Sequence, residues 1–438
     1  MESLHSSAPP SMLPVFERFD AMWAGLEPIG RDDTTGGYRR YAWTEDELHC
    51  REWFRAQARV RGLRMETDGN GNMWAWWGDT ARGRAVVMGS HLDSVPDGGA
   101  FDGPLGVVSA FSAVDAMRER GIVPRRPVAI VAFADEEGAR FGVACAGSRL
   151  LTGELGRDRA LALTDRSGVT MEEAMRSAGH DPSRVGPDRA RLSSIAAFIE
   201  LHVEQGRVPV VTETGAVVNG LHGCSAAVGT ASAILPHGRW RFDLIGRADH
   251  AGTTALADRD DPMLRLARLI QAARESAERV GAVATVGRVD VQPNGVNAIP
   301  SLVRAWLDVR GPDEALVRRV VSEAEVATGS AAAEESWTPS VVFDEALRDR
   351  VEQILVRRFG GGPTLSTAAG HDAGILSNAG VPTAMLFVRN HDGTSHSPHE
   401  FVEPMDRHSG VAALADVISD LSTSEDVGSS IDRPLSIR

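Results

Sequence analysis

Four short apolar runs that pass directly into charge restrict what this chain can fold into. They are AVVMGS (85–90), PVAIVAFADEEG (127–138), AAFIELHVEQG (196–206) and PTAMLFVRN (382–390). A strand with one wet face alternates apolar and polar residues, whereas a strand covered on both faces reads as a continuous apolar run. Amphipathic helical segments lie between these runs, such as PLGVVSAFSAVDAMRERG after the first. The pattern predicts an α/β fold with a mainly parallel sheet covered on both sides. With 438 residues, 42% of them hydrophobic, the chain can bury two domains or one large one.

The middle of the chain changes rhythm. RWRFDLIG (239–246) alternates as a half-buried strand does. A helix follows at about 260–280, then strands at 282–290 and 301–310, a helix at 313–327 and a last strand in SWTPSVVF (336–343). That β-α-β-β-α-β order predicts a ferredoxin-like α+β insertion. The predicted division is an α/β domain over 13–235 and 345–421, an insertion over 236–344, and a disordered tail over 422–438.

Composition removes whole classes of chemistry. All 46 basic residues are Arg, so no Schiff-base lysine, Walker A lysine or kinase ATP lysine exists. A net charge of −14 argues against nucleic-acid or anionic-membrane partners. Three cysteines without a CxxC pair exclude a disulfide framework. The N-terminal segment has no basic then apolar leader pattern, and no apolar run approaches a membrane span. The expectation is a cytoplasmic protein.

Functional residues of an open parallel sheet gather beyond the carboxyl ends of its strands. His91, Asp93 and Asp102 follow the first run, and Asp135, Glu136 and Glu137 follow the second. His202, Glu204 and Gln205 follow the third, and His391, His396 and His399 the fourth. Taken singly, a strand-end His is usually a hydrogen-bonded residue, and the Asp of FDGP is usually a turn or cap. Four strands delivering such groups to one edge are not explained that way. Buried charge beside an apolar strand has to be paired or metal-bound. Imidazole and carboxylate without thiolate suit zinc, manganese or cobalt. His91, Asp102, Glu137, His202 and His396 supply enough ligands for two ions, with Glu136 left over, and one of the adjacent glutamates can bind metal while the other works as the base. The tryptophans Trp74, Trp76 and Trp77 read as packing.

These segments resemble the dinuclear metal-dependent amidohydrolases that include N-carbamoyl-L-amino acid hydrolases, allantoate amidohydrolases and yeast-type β-ureidopropionases. The resemblance rests on GSHLDSVPDGGAFDGPLGV (89–107), ADEEGARFG (134–142), ELHVEQG (200–206), DHAGTT (249–254), PNGVNAIP (293–300), AGHDAG (369–374) and SHSPHE (395–400). It implies metal ligands at His91, Asp102, Glu137, His202 and His396, with Asp102 bridging two divalent ions (zinc, manganese, cobalt or nickel). Glu136 would be the general base, and Asp93 would orient His91. His250, Asn297 and Arg310 fall on substrate positions, and Gln205 and Gly370 would complete the pocket. His250 is expected to serve the other subunit, which implies a homodimer with the insertion as lid and dimerisation domain.

Residue chemistry agrees with several of these roles. Arg310 ends the strand segment AWLDVR, where a guanidinium can grip a carboxylate with two hydrogen bonds. Asn297 and His250 can donate to a developing oxyanion. The segment 207–226 is longer than the connection usual after LHVEQG. The implied activity is hydrolysis of a non-peptide C–N bond in a small N-carbamoyl or ureido carboxylate, by a metal-bridging hydroxide. N-formyl or other short N-acyl amino acids are the alternative substrates, and an inactive metal-binding protein is the alternative of another class.

Overall fold

The computed structural model describes residues 12–211 and 215–424. Most of the predicted tail and the residues before 12 fall outside these bounds. The described residues form two compact units, one within 1–232, 343–365 and 371–438, the other within 233–342 and 366–370.

The first unit is built on a mixed sheet whose centre is parallel. Strand Ala85–His91 lies between Val128–Phe133 and Ile195–Val203, parallel to both, and Thr383–Val388 runs parallel to Ile195–Val203. Antiparallel strands flank this centre: Met73–Trp77 on Val128–Phe133, and Val228–Ile234 on Thr383–Val388. Every residue of the four parallel strands is buried, which is why their sequences do not alternate. Val128, Ile130 and Ala132 join one core cluster, while Phe133 packs edge-on against Phe198 and Trp74. Trp74 and Trp76 are buried and stacked at 5.9 Å, as packing residues.

Helix Pro104–Glu119 explains how the first strand's loop is held. Pro104 occupies its first turn with φ already set for a helix, and the helix is buried from Pro104 to Met117. Gly106 lets it approach the sheet, since a Cβ there would sit 2.3 Å from the Leu201 carbonyl oxygen. Helix Pro404–Thr423 packs in the same cluster. It runs two residues into the region predicted as tail, because Leu421 and Ser422 are buried.

The second unit has the predicted β-α-β-β-α-β order. Its strands Val283–Gln292, Leu302–Arg310, His237–Ile245 and Ala332–Thr338 form an antiparallel sheet in that order. Helices Pro262–Val280 and Glu314–Thr328 bury Leu266, Leu269, Val317 and Val320 against it. The last strand corrects the sequence expectation of 336–343: it spans 332–338 and stops before Pro339, which has no N–H for the ladder. Residues 366–370, assigned from sequence to the α/β domain, group with the insertion. Thr367 accepts a hydrogen bond from the Leu235 amide, and Gly370 lies so close to His237 that a Cβ would meet its Nε2 at 2.8 Å. Among the described residues no helix is long and apolar enough to cross a membrane.

Candidate metal centre

Strand ends and the loops after them bring six chemistry-bearing side chains together in the first unit. Asp102 is central. Its Oδ1 lies 3.2 Å from His202 Nε2 and 3.7 Å from His91 Nε2, and its Oδ2 lies 3.3 Å from His396 Nε2. Glu137 Oε1 is 3.6 Å from His396 Nε2, and Glu136 Oε2 is 3.7 Å from His91 Nε2. Three donor groups result, His91–Asp102–His202, Asp102–Glu137–His396 and His91–Glu136–Glu137, and Asp102 belongs to the first two.

Local backbone explains this convergence. Gly103 has φ +86°, and a Cβ there would strike the His91 ring at 2.4 Å, so only glycine fits between Asp102 and the helix. Asp135, Cys145 and His396 are non-glycine residues with φ near +55°, a conformation retained where surrounding structure over-determines it. The turn at Asp135 also sets where Glu136 and Glu137 lie. They follow the strand in a bend, and both come within reach of His91.

Asp93 holds that bend. Its Oδ1 accepts from the Glu136 amide at 3.1 Å and its Oδ2 from the Glu137 amide at 3.0 Å. Its backbone oxygen, at 3.1 Å, pairs with His91 Nδ1, while its carboxylate is 3.5 Å away. Orientation of His91 therefore comes chiefly from the Asp93 carbonyl. Gln205 donates from Nε2 to Asp102 Oδ2 at 2.8 Å and to Ser395 Oγ at 3.0 Å.

The donor set fits a divalent cation. His91 Nε2, His202 Nε2 and Glu137 Oε1 are buried without a hydrogen-bond partner, a costly state unless a cation is shared. Electrostatics point the same way. Burial would push the His91 imidazole down, but Glu136, Asp102 and Asp93 hold it well above its ordinary value. Burial would raise Asp102, but His202, His396 and His91 hold it well below the usual carboxylate range. Burial raises Glu136 well above that range, aided by Glu137, Asp372 and Asp93 against the pull of His91. Too many carboxylates share too little water, and positive charge resolves the conflict.

Several participants escaped the sequence reading. Cys145 Sγ donates to Glu136 Oε1 at 3.3 Å. Glu400 accepts from the amides of Phe101 and Asp102 and from Ser395 Oγ. Glu200 accepts from Ser90 Oγ at 2.7 Å and the Ala373 amide at 3.0 Å, and it groups with His202 and His371. A carboxylate inside the apolar run AAFIELHV was the available signal for Glu200.

The remaining predicted residues lie in the second unit, at two places. His250 pairs with Ala298 in a short ladder, and the Ala251 amide donates to the Asn297 carbonyl. Both sit where the chain enters strand Leu302–Arg310. Arg310 closes that strand opposite His237, and Gly370 abuts His237 there. Eight residue steps separate the strand's ends, about 27 Å at the rise of a β-strand. Arg310 bonds Asp308 with two nitrogens, at 2.7 and 3.2 Å, and donates to the Ala368 carbonyl at 2.9 Å.

The family model for Peptidase family M20/M25/M40 matches residues 87–420. The chain belongs to the M20/M25/M40 family. Within it, the chain is 34% identical over 422 residues to an N-carbamoyl-L-amino acid amidohydrolase of Geobacillus stearothermophilus, covering 93% of this chain and 99% of that one. It is 30% identical to an allantoate amidohydrolase of Escherichia coli (strain K12), over 87% of this chain and 92% of that one. Among solved structures, a hydantoinase/carbamoylase family amidase from Burkholderia vietnamiensis superposes with TM-score 0.84 at 27% identity, covering 93% and 98% of the two chains. The M20 match spans the strand-end segments from His91 to His396.

Proposed function

We propose that this chain hydrolyses the non-peptide C–N bond of a small N-carbamoyl or ureido carboxylate, using two divalent ions. The observation that carries the reading is Asp102, whose two oxygens face two separate donor groups. His91 and His202 would hold one ion and Glu137 and His396 the other, with zinc, manganese, cobalt and nickel all suited to imidazole and carboxylate. Such ions, when bound, polarise the attacked carbonyl and acidify water. The family relatives named for carbamoyl-amino acid and allantoate hydrolysis support this substrate class.

The chain's own groups supply the proton transfers. Glu136 removes a proton from the attacking water and returns it to the leaving nitrogen. Asp93 and Cys145 fix its position through the contacts described above. From an N-carbamoyl amino acid the products are the amino acid, ammonia and carbon dioxide. Arg310 is the carboxylate reader, held in plane by Asp308 while its side chain remains partly exposed. His250 and Asn297 are the donors to the oxyanion.

The roughly 27 Å between the two ends of strand Leu302–Arg310 supports a homodimer. A small substrate gripped by Arg310 is out of reach of His250 on the same chain, so His250 acts on the partner's substrate. The three free cysteines, two of them buried, support a reducing, cytoplasmic setting.

The test is a substrate panel of N-carbamoyl-, N-formyl- and N-acetyl-amino acids and allantoate, on protein reconstituted separately with each metal. Ammonia release from a carbamoyl or ureido member at the highest kcat/KM is expected. Turnover confined to N-formyl or N-acetyl compounds overturns the substrate assignment, and no turnover with any metal overturns the reading as an enzyme.

A further inference from the structure

The longer connection 207–226 brings together two exposed imidazoles that take no part in the buried centre. Strands Pro209–Val211 and Val217–Asn219 pair as a hairpin that leads into the single turn Gly220–Gly223, which carries His222. That turn is anchored: the Gly220 amide donates to the Val208 carbonyl at 2.8 Å, and the Leu221 amide to Glu204 Oε1 at 2.9 Å. The facing loop after Thr383–Val388 carries His391 and is pinned by the Gly206 amide on the Gly393 carbonyl at 3.0 Å. The His222 and His391 ring centroids are 4.0 Å apart, with planes at 55°.

Asp392 selects the state of one ring. His391 Nδ1 is 2.9 Å from Asp392 Oδ1, and an ionised carboxylate accepts, so Nδ1 is the donor of that contact and Nε2 is the nitrogen left to face a ligand. Arg207 holds the same Asp392 oxygen at 3.2 Å and the His391 carbonyl at 3.1 Å. A carboxylate behind Nδ1 fixes ring orientation and strengthens the other nitrogen as a ligand. Imidazole pairs suit zinc, nickel and copper(II).

We propose that His222 and His391 form a second, surface site for one such transition-metal ion, with Asp392 as supporting carboxylate and water in the open positions. An ion there ties the connection 207–226 to the loop that continues to His396.

Copper(II) is the probe, because its EPR spectrum counts coordinated nitrogens. Zinc-loaded full-length protein and its His222→Ala and His391→Ala variants are titrated with copper(II), and the spectra are compared as differences, in which the shared buried centre cancels. One equivalent with a two-nitrogen pattern is expected in the parent and is lost in both variants. Asp392→Asn should weaken it roughly 10–100-fold, the usual effect of removing such a supporting carboxylate. Zinc-loaded Glu136→Gln should bind the same equivalent unchanged. A parent whose difference spectrum against His222→Ala or against His391→Ala shows no two-nitrogen signal overturns the proposal.

Discussion

The carboxylate of Asp93 spans two consecutive amides, one oxygen on Glu136 N–H and the other on Glu137 N–H. Those neighbours are the proposed base and a proposed ligand, so one side chain sets the distance between proton transfer and metal. Asp93→Asn keeps one acceptor but turns an NH2 group toward the second amide. We expect kcat/KM to fall roughly 10–100-fold, in line with supporting residues elsewhere, while melting shows an intact fold. Wild-type activity would sink this role.

Glu136→Gln removes the proton acceptor and leaves the shape. Turnover should drop at least about 100-fold, with metal content by elemental analysis equal to the parent. Activity within a few fold of the parent would reassign the base.

Removal of metal is the direct check on the orphaned nitrogens of His91 and His202. Chelator treatment should abolish activity and lower the melting temperature, because an ion present at about 1,000 times its Kd stabilises a fold by about 4 kcal/mol. Readdition should restore both, with two ions bound at the buried centre per chain. A melting temperature indifferent to chelator, with no divalent ion recovered, contradicts a metal centre.

A mixed-chain experiment addresses the divided substrate residues. His250→Ala and Glu136→Gln chains, each inactive alone, should regain partial activity when mixed, through one site with both residues intact. Proven mixed dimers without activity would place His250 in its own chain's site.

Asp308 gives a stability prediction with a definite sign. Burial raises its pKa, but Arg310 and Arg239 outweigh this and hold it down from 3.8 to about 2. A depressed carboxylate stabilises the fold above its ordinary pKa and loses that contribution as pH falls toward 2. Asp308→Asn should therefore melt below the parent at pH 6, with the gap narrowing between pH 3.8 and 2. A gap constant down to acid unfolding would show that the ion pair is not its source.

The sheet was legible because burial on both faces leaves a local trace, the uninterrupted apolar run, and its charged ends mark the functional edge. The five proposed ligands and Glu136 lie at those ends. Glu200 and Glu400 were not legible in the same way. Their distant partners, Ser90 and Ala373 for one and the Phe101 and Asp102 amides for the other, are more than a hundred residues away, and no local pattern encodes those contacts. The last strand of the insertion slipped because SWTPSVVF looks apolar enough, whereas Pro339 breaks the ladder. Residues 366–370 carry no sign of leaving the domain that surrounds them in sequence.

Strand Leu302–Arg310 is also a spacer, with His250 and Asn297 at its start and Arg310 and Gly370 at its end. If both ends act on one small molecule, no solitary chain holds a complete set of contacts. Catalysis then becomes a property of chain concentration: dilution below the dimer's dissociation constant lowers the rate per chain, while every metal-binding residue stays in place.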